Sequence, residues 1–183
     1  MKASFCLTAA GLALFAGLPL AAQAANPVSS ALKQSLRRSS NIMVAAAQEM
    51  PADKYGFKPT PESMSFGQLV LHVATSNNAM CQWVSGAAPA AKVTLTPTSP
   101  KDDLVNALKA SFEYCTQAFS NLDDSKLASE VPSFGGRKTT QAALMFSLSG
   151  DWSDHYSQQA AYLRLNGLLP PTARRPAARG RGR

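Results

Sequence analysis

The stretch LMFSLSGDWSDHYSQQAAY, Leu144–Tyr162, decides how the whole chain reads. At roughly 100° per residue, Leu144, Leu148, Asp151, His155 and Tyr162 fall on one narrow face of a single helix. Two of those five are a carboxylate and an imidazole inside an apolar stripe. An unpaired ionised group in a core costs several kcal/mol or more, so Asp151 and His155 must be paired, protonated or bound to something. Their i, i+4 spacing lets both reach one ion from the same face, and a metal is the economical explanation. The alternative from the same residues is a buried Asp–His hydrogen bond that fixes helix register.

Working outward, this helix is the last of four. Thr139 or Thr140 caps it, and Gly167 with Pro170 and Pro171 terminates it after Leu165. Val28, Leu32, Leu36, Met43 and Met50 mark helix one, which stops before Pro51. Ser65 and Gln68 form a capping-box pattern ahead of helix two, Phe66 to Val84, which ends at Gly86. Ser99, Pro100 and Asp102 start helix three, with Leu104, Leu108, Phe112, Cys115, Phe119 and Leu122 in near-heptad repeat. Phe134, Gly135 and Gly136 make a loop. No segment shows sustained strand alternation, and Val93 to Thr96 reads at most as a short extended stretch.

Four such helices make an all-α four-helix bundle. The connection from Gly86 to Ser99 spans roughly 45 Å if extended, against about 30 Å for helix two. It is long enough to cross over the bundle, so helices two and three can run parallel in an up-down-down-up order. The cysteines point the same way. Cys81 and Cys115 lie at nearly equal depth in helices two and three, whereas antiparallel helices would separate them by roughly 20 Å, beyond a disulfide's reach. A Cys81–Cys115 disulfide is expected.

Residues 1–24 read as a signal peptide: Lys2, an apolar run from Ala9 to Ala22, and a small-residue cleavage site at Ala22-Gln23-Ala24. The run is short for a membrane span, and Cys6 lies too early for a lipid-anchored cysteine. A periplasmic or secreted protein of about 158 residues is the expectation, one domain by size. That compartment permits the disulfide. The net charge of +7 is misleading. Of 18 basic residues, five arginines lie in the last ten positions and Lys2 in the leader, leaving 12 against 11 acidic residues. A domain over 26–171 is thus nearly neutral, and 172–183 reads as a disordered Arg-rich tail. Weak contact with an anionic surface is one reading of that tail, a solvated end the other. The body has no aromatic and basic platform, so no specific nucleic-acid partner is expected.

His72, on helix two, is the only other histidine. It lies roughly 130° from the centre of the Phe66, Val70, Val73, Asn77, Cys81, Val84 stripe. A flank position suits either an open groove site between helices two and four or an ordinary boundary histidine. Asp154 projects about 100° from His155 and suits an acceptor for an imidazole N–H. Trp152 and Tyr156 flank the pair and would serve as groove walls or, as aromatics at helical spacing usually do, as core.

Met50-Pro51, Lys54-Tyr55, Phe57-Lys58-Pro59-Thr60-Pro61-Glu62, Ser65-Phe66-Gly67-Gln68-Leu69 and His72-Val73-Ala74 resemble the DinB-like family, specifically its exported members. Ala110-Ser111-Phe112, Tyr114-Cys115, Asp154-His155-Tyr156 and Tyr162-Leu163-Arg164 through Gly167 to Pro170-Pro171 continue the likeness. The resemblance implies a bundle holding a divalent metal by three histidines, with His72 as the first ligand and His155 as the last. Asp151 stands where the family has its middle histidine. A His72, Asp151, His155 set is harder than three imidazoles and suits zinc or nickel, without excluding manganese or iron. The resemblance further implies metal-dependent, thiol-transferase-like chemistry on a small-molecule ligand in the metal groove. Export removes the chain from the cytosolic thiol pool and weighs against that transfer, leaving activity open. A metal-free helical binding or stress-related module with a degenerate site is the alternative. Broad apolar helix faces also suit a homodimer, although no isolated surplus stripe marks one.

Overall fold

The computed structural model describes residues 26–174; the expected leader and most of the Arg-rich tail lie outside that range. Four helices carry the fold: α1 (Pro27–Glu49), α2 (Phe66–Ser85), α3 (Lys101–Ala118) and α4 (Gln141–Leu165). None is long and apolar enough to cross a membrane.

Local chemistry starts and stops them. Ser65 Oγ accepts from Gln68 N–H at 3.1 Å and Gln68 Oε1 accepts from Ser65 N–H at 2.6 Å, a reciprocal cap for α2. Gly86 closes α2 at φ +70°, a conformation that a Cβ disfavours. Thr140, not Thr139, caps α4, accepting from Ala143 N–H at 3.2 Å. The cap of α3 differs from the sequence expectation, and that of α1 comes from far along the chain. Pro100, with no side-chain cap, precedes α3, because Ser99 Oγ instead accepts from Thr96 N–H in the preceding turn. At α1, Asp124 from the segment after α3 accepts from Val28 N–H and Ser29 N–H at 2.9 and 2.8 Å. A carboxylate at these orphan donors also suits the positive end of the helix dipole.

A small antiparallel hairpin, β1 (Glu130–Pro132) and β2 (Lys138–Thr140), pairs Glu130 with Thr140 and Pro132 with Lys138. Its strands flank the loop read at Phe134–Gly136, which forms the tip as a short 3-10 turn, while 93–96 is irregular. Three-residue strands are too short to show a period of two. The hairpin leads straight into α4, where Ser129 and Leu127 carbonyls accept from Gln141 and Ala142 N–H. Its tip rests on α2 through an edge-to-face contact of Phe134 with Trp83.

Helix directions follow from paired contacts. Asn77 meets Ser111 and Cys81 meets Cys115, so α2 and α3 share a direction. Val84 meets Gln141 and Asn77 meets Trp152, so α4 opposes α2. Gln48 meets Lys101 and Lys33 meets Ser120, so α1 opposes α3. The connection after Gly86 travels back along α2: Pro97 lies against Gly67 in the first turn of that helix. The core between them is filled by Trp152, Phe66, Phe112, Phe119, Met43, Met50 and Leu148, all fully buried. Trp152 is therefore core and not a groove wall. The chain stays on the bundle past Pro171, since Thr172 hydrogen-bonds the Tyr156 hydroxyl and Arg174 pairs with Glu49.

Cys81 and Cys115 form a disulfide with Cα atoms 5.3 Å apart and a sequence separation of 34. Loop-closure entropy for such a span corresponds to about 4 kcal/mol. Replacing both cysteines by serine should lower the unfolding free energy by about 3–4 kcal/mol in denaturant melts, and unreduced peptide maps should show the linked pair. Gly67 offers a second test. A Cβ there would sit 2.5 Å from the Pro97 carbonyl oxygen. The helix-propensity gain of alanine, about 1 kcal/mol, is outweighed by moving a backbone segment, so Gly67→Ala should destabilise by about 1–3 kcal/mol.

Candidate metal site

The face of α4 that carries Asp151 and His155 is turned toward the flank of α2 that carries His72. The register between these helices is set at the core by Asn77: its Oδ1 accepts from Trp152 Nε1–H at 2.7 Å. One turn beyond Trp152 on α4 and little more than one turn before Asn77 on α2, the imidazoles of His155 and His72 meet edge to face, with centroids 4.8 Å apart.

His72, Asp151 and His155 each present one ligand atom, and the three atoms lie within 4.8 Å of one another. Their environments differ in step: His72 is exposed, Asp151 is half-buried and His155 is buried. The flank position of His72, ambiguous on the helical wheel, is what places it at the groove mouth. His155 Nε2 stands 3.3 Å from Asp151 Oδ1. Donors on a tetrahedral ion at 2.0–2.1 Å are separated by about 3.3 Å, so this pair already has ligand spacing, and the His72 ligand atom lies within 4.8 Å of both. Among the described residues, Asp151 Oδ2 and His155 Nδ1 are both buried without a hydrogen-bond partner, as are Gln141 Oε1 and both amide atoms of Gln159. The free Asp151 oxygen leaves that carboxylate able to take an ion, and the fit of a metal rests on it and on the convergence of the three ligand atoms.

The two imidazoles are biased in opposite directions. The hydrogen bond to Asp151 raises the His155 pKa above 6.5 against the effect of burial, helped by the charges of Asp151 and Asp154 and by the Gln158 side chain. His72 is lowered, first by burial and then by the neighbouring charge of His155, with Asp151 opposing. Asp154 does not reach the ring as expected: its Oδ2 is 3.9 Å from His155 Nδ1, and it accepts instead from Gln158 Nε2 at 2.8 Å. Gln158 escaped the sequence reading although its spacing, three after His155 and four after Asp154, was visible; an amide on a solvated helix edge carries no signal by itself. A cavity of about 470 Å³ lies apart from this cluster, between the crossover and α3, beside Lys92, Leu95, Asn106 and Tyr114.

With only two histidines in the chain, NMR titration of chelator-treated protein should give two imidazole curves, His72 with its midpoint below 6.5 and His155 above. Coincident midpoints would contradict the geometry. The signs for stability follow. The His155 contribution is fully present below its unfolded value near 6.5 and is lost as pH rises through the raised folded value. The His72 contribution is present above 6.5 and is lost as pH falls through its lowered one.

The fold and this cluster can be set against known proteins. The family model of the DinB superfamily matches residues 35–174. Among solved structures, a DinB-like protein from Bacillus subtilis is similar with a TM-score of 0.63 at 24% identity, over 80% of this chain and 99% of that one. A DinB-like protein from Bacillus cereus gives 0.65 at 14% identity, over 78% and 95%. A mycothiol-dependent maleylpyruvate isomerase gives 0.57 at 15% identity, over 70% and 59%. At these identities the likeness is one of fold. No protein with a curated description matches the sequence. The match over most of the four-helix body places this chain in the DinB superfamily.

Proposed function

We propose that this chain is an exported DinB-superfamily protein that binds a divalent metal ion through His72, Asp151 and His155. The observation that carries the reading is the convergence of these three side chains from two helices, with their ligand atoms within 4.8 Å and with a buried, unpartnered oxygen on Asp151 among the described residues. The Cys81–Cys115 disulfide supports an oxidising compartment and hence export.

Bound there, a divalent ion would supply a Lewis acid able to activate a small thiol or water. The chain's own residues set the terms. The exposed side of His72 leaves the groove open to a small ligand, while Leu148 and Trp152 behind Asp151 and His155 are fully buried and keep water from the back of the site. The Asp151 carboxylate cancels one positive charge of the ion and hardens the donor set relative to three imidazoles, which suits zinc or nickel and admits manganese or iron. Thiol-transferase-like activity is supported by the fold shared with a mycothiol-dependent isomerase.

A second reading is favoured by the 3.3 Å Asp151–His155 contact: a metal-free module in which this pair only fixes the register of α4. Untagged protein stripped by chelator and dialysed against zinc or nickel decides between them. One ion per chain, lost in His72→Ala and His155→Ala, is expected, with a stabilisation of about 2.7 kcal/mol at a hundredfold excess over Kd. Asp151→His should retain the ion and Asp151→Ala should lose it. No retained metal, and melting unmoved by metal or chelator, would establish the second reading.

A further inference from the structure

His155 has two ring nitrogens, and the site above occupies only one. Nε2 faces Asp151, whereas Nδ1 is buried and has no hydrogen-bond partner. Asp154 Oδ2, at 3.9 Å, is too far to accept from it. That same oxygen accepts from Gln158 Nε2 at 2.8 Å. Gln158 is half-buried, and because residues three and four apart on a helix are neighbours, it lies beside both His155 and Asp154 on α4. With one Nε2–H committed to Asp154, the amide keeps a second N–H and Oε1, and of these only Oε1 can accept from a ring N–H.

We propose that Gln158 is a positioning residue for His155: clamped by Asp154 through Nε2, it presents Oε1 to the Nδ1–H of the imidazole and so holds Nε2 toward Asp151 and His72. An imidazole that ligates through Nε2 must carry its proton on Nδ1, and whatever accepts that proton's hydrogen bond fixes both tautomer and ring orientation. An amide oxygen does this without adding a second carboxylate to a site that already has Asp151. Asp154 acts at one remove, by deciding which end of the amide faces the ring. This deepens the metal-binding reading and depends on it only for the affinity measurement.

Two-bond proton–nitrogen correlations on chelator-treated and zinc-loaded protein test it. A slowly exchanging Nδ1–H on His155 is expected in the zinc-loaded form, and in the chelator-treated form at mildly acid pH, where Nε2–H faces Asp151 and Nδ1 also carries a proton. Gln158→Met, similar in length and without an acceptor, should abolish that protection and weaken zinc binding ten- to hundredfold. Gln158→Glu keeps an acceptor oxygen and should keep the protected proton. A protected Nδ1–H that survives Gln158→Met but disappears in Asp154→Ala would make Asp154 the direct acceptor and overturn the proposal, as would the lack of any protected Nδ1–H in the parent protein. If no zinc binds at all, the metal reading fails alone, because the chelator-treated protein still reports on Gln158.

Discussion

Asn77 is the point through which three of the four helices are referenced to one another. It is completely buried in α2, donates to Ser111 Oγ of α3 at 3.0 Å and accepts from Trp152 Nε1–H of α4 at 2.7 Å. Apolar side chains tolerate sliding along a groove, whereas a buried amide with two directional partners does not, since leaving either end unmade costs about 1–3 kcal/mol. The Cys81–Cys115 bond, one turn further along α2, repeats the α2–α3 constraint covalently. Because Trp152 lies between Asp151 and His155 in sequence, fixing Trp152 against Asn77 also fixes which residue of α2 stands opposite the pair. That residue is His72.

The cluster that results is graded from wet to dry. His72 sits at the mouth, Asp151 at the boundary and His155 inside, with Asp154 and Gln158 on the solvent edge behind it. The opposed biases of the two imidazoles follow from their partners and run against this gradient: His155 has a carboxylate within 3.3 Å to support its charge, and His72, exposed at the mouth, loses hydration where its ring meets the bundle and faces another imidazole. A single carboxylate in place of an imidazole therefore does more than change a donor atom. It biases the proton toward His155 and away from His72 when no ion is bound, and an incoming cation competes with that proton.

Legibility in the sequence tracked the range of the interaction. The capping box at Ser65 and Gln68, the stop at Gly86 and the apolar stripes depend on residues within one or two turns, and each was readable. The disulfide was readable because helix rise converts residue counts into heights. What escaped depends on partners far along the chain or on segments too short to have a period. Asp124 caps α1 across 95 or more residues, and the hairpin at 130–140 has strands of three residues. Asp154 was correctly placed near His155, but the distance that excludes a direct bond and the interposed Gln158 needed side-chain positions.

By itself, then, the sequence determined the helices, their apolar faces, the crossover length and the anomaly of a carboxylate and an imidazole in one stripe, since all of these follow from periodicity and rise along a single chain. Whether His72 was a ligand candidate or a boundary residue could not follow from its own helix, because a flank is defined only by what packs beside it. The tertiary structure decided that question: locking Trp152 to Asn77 brings the flank of α2 over the stripe of α4, and the three side chains converge.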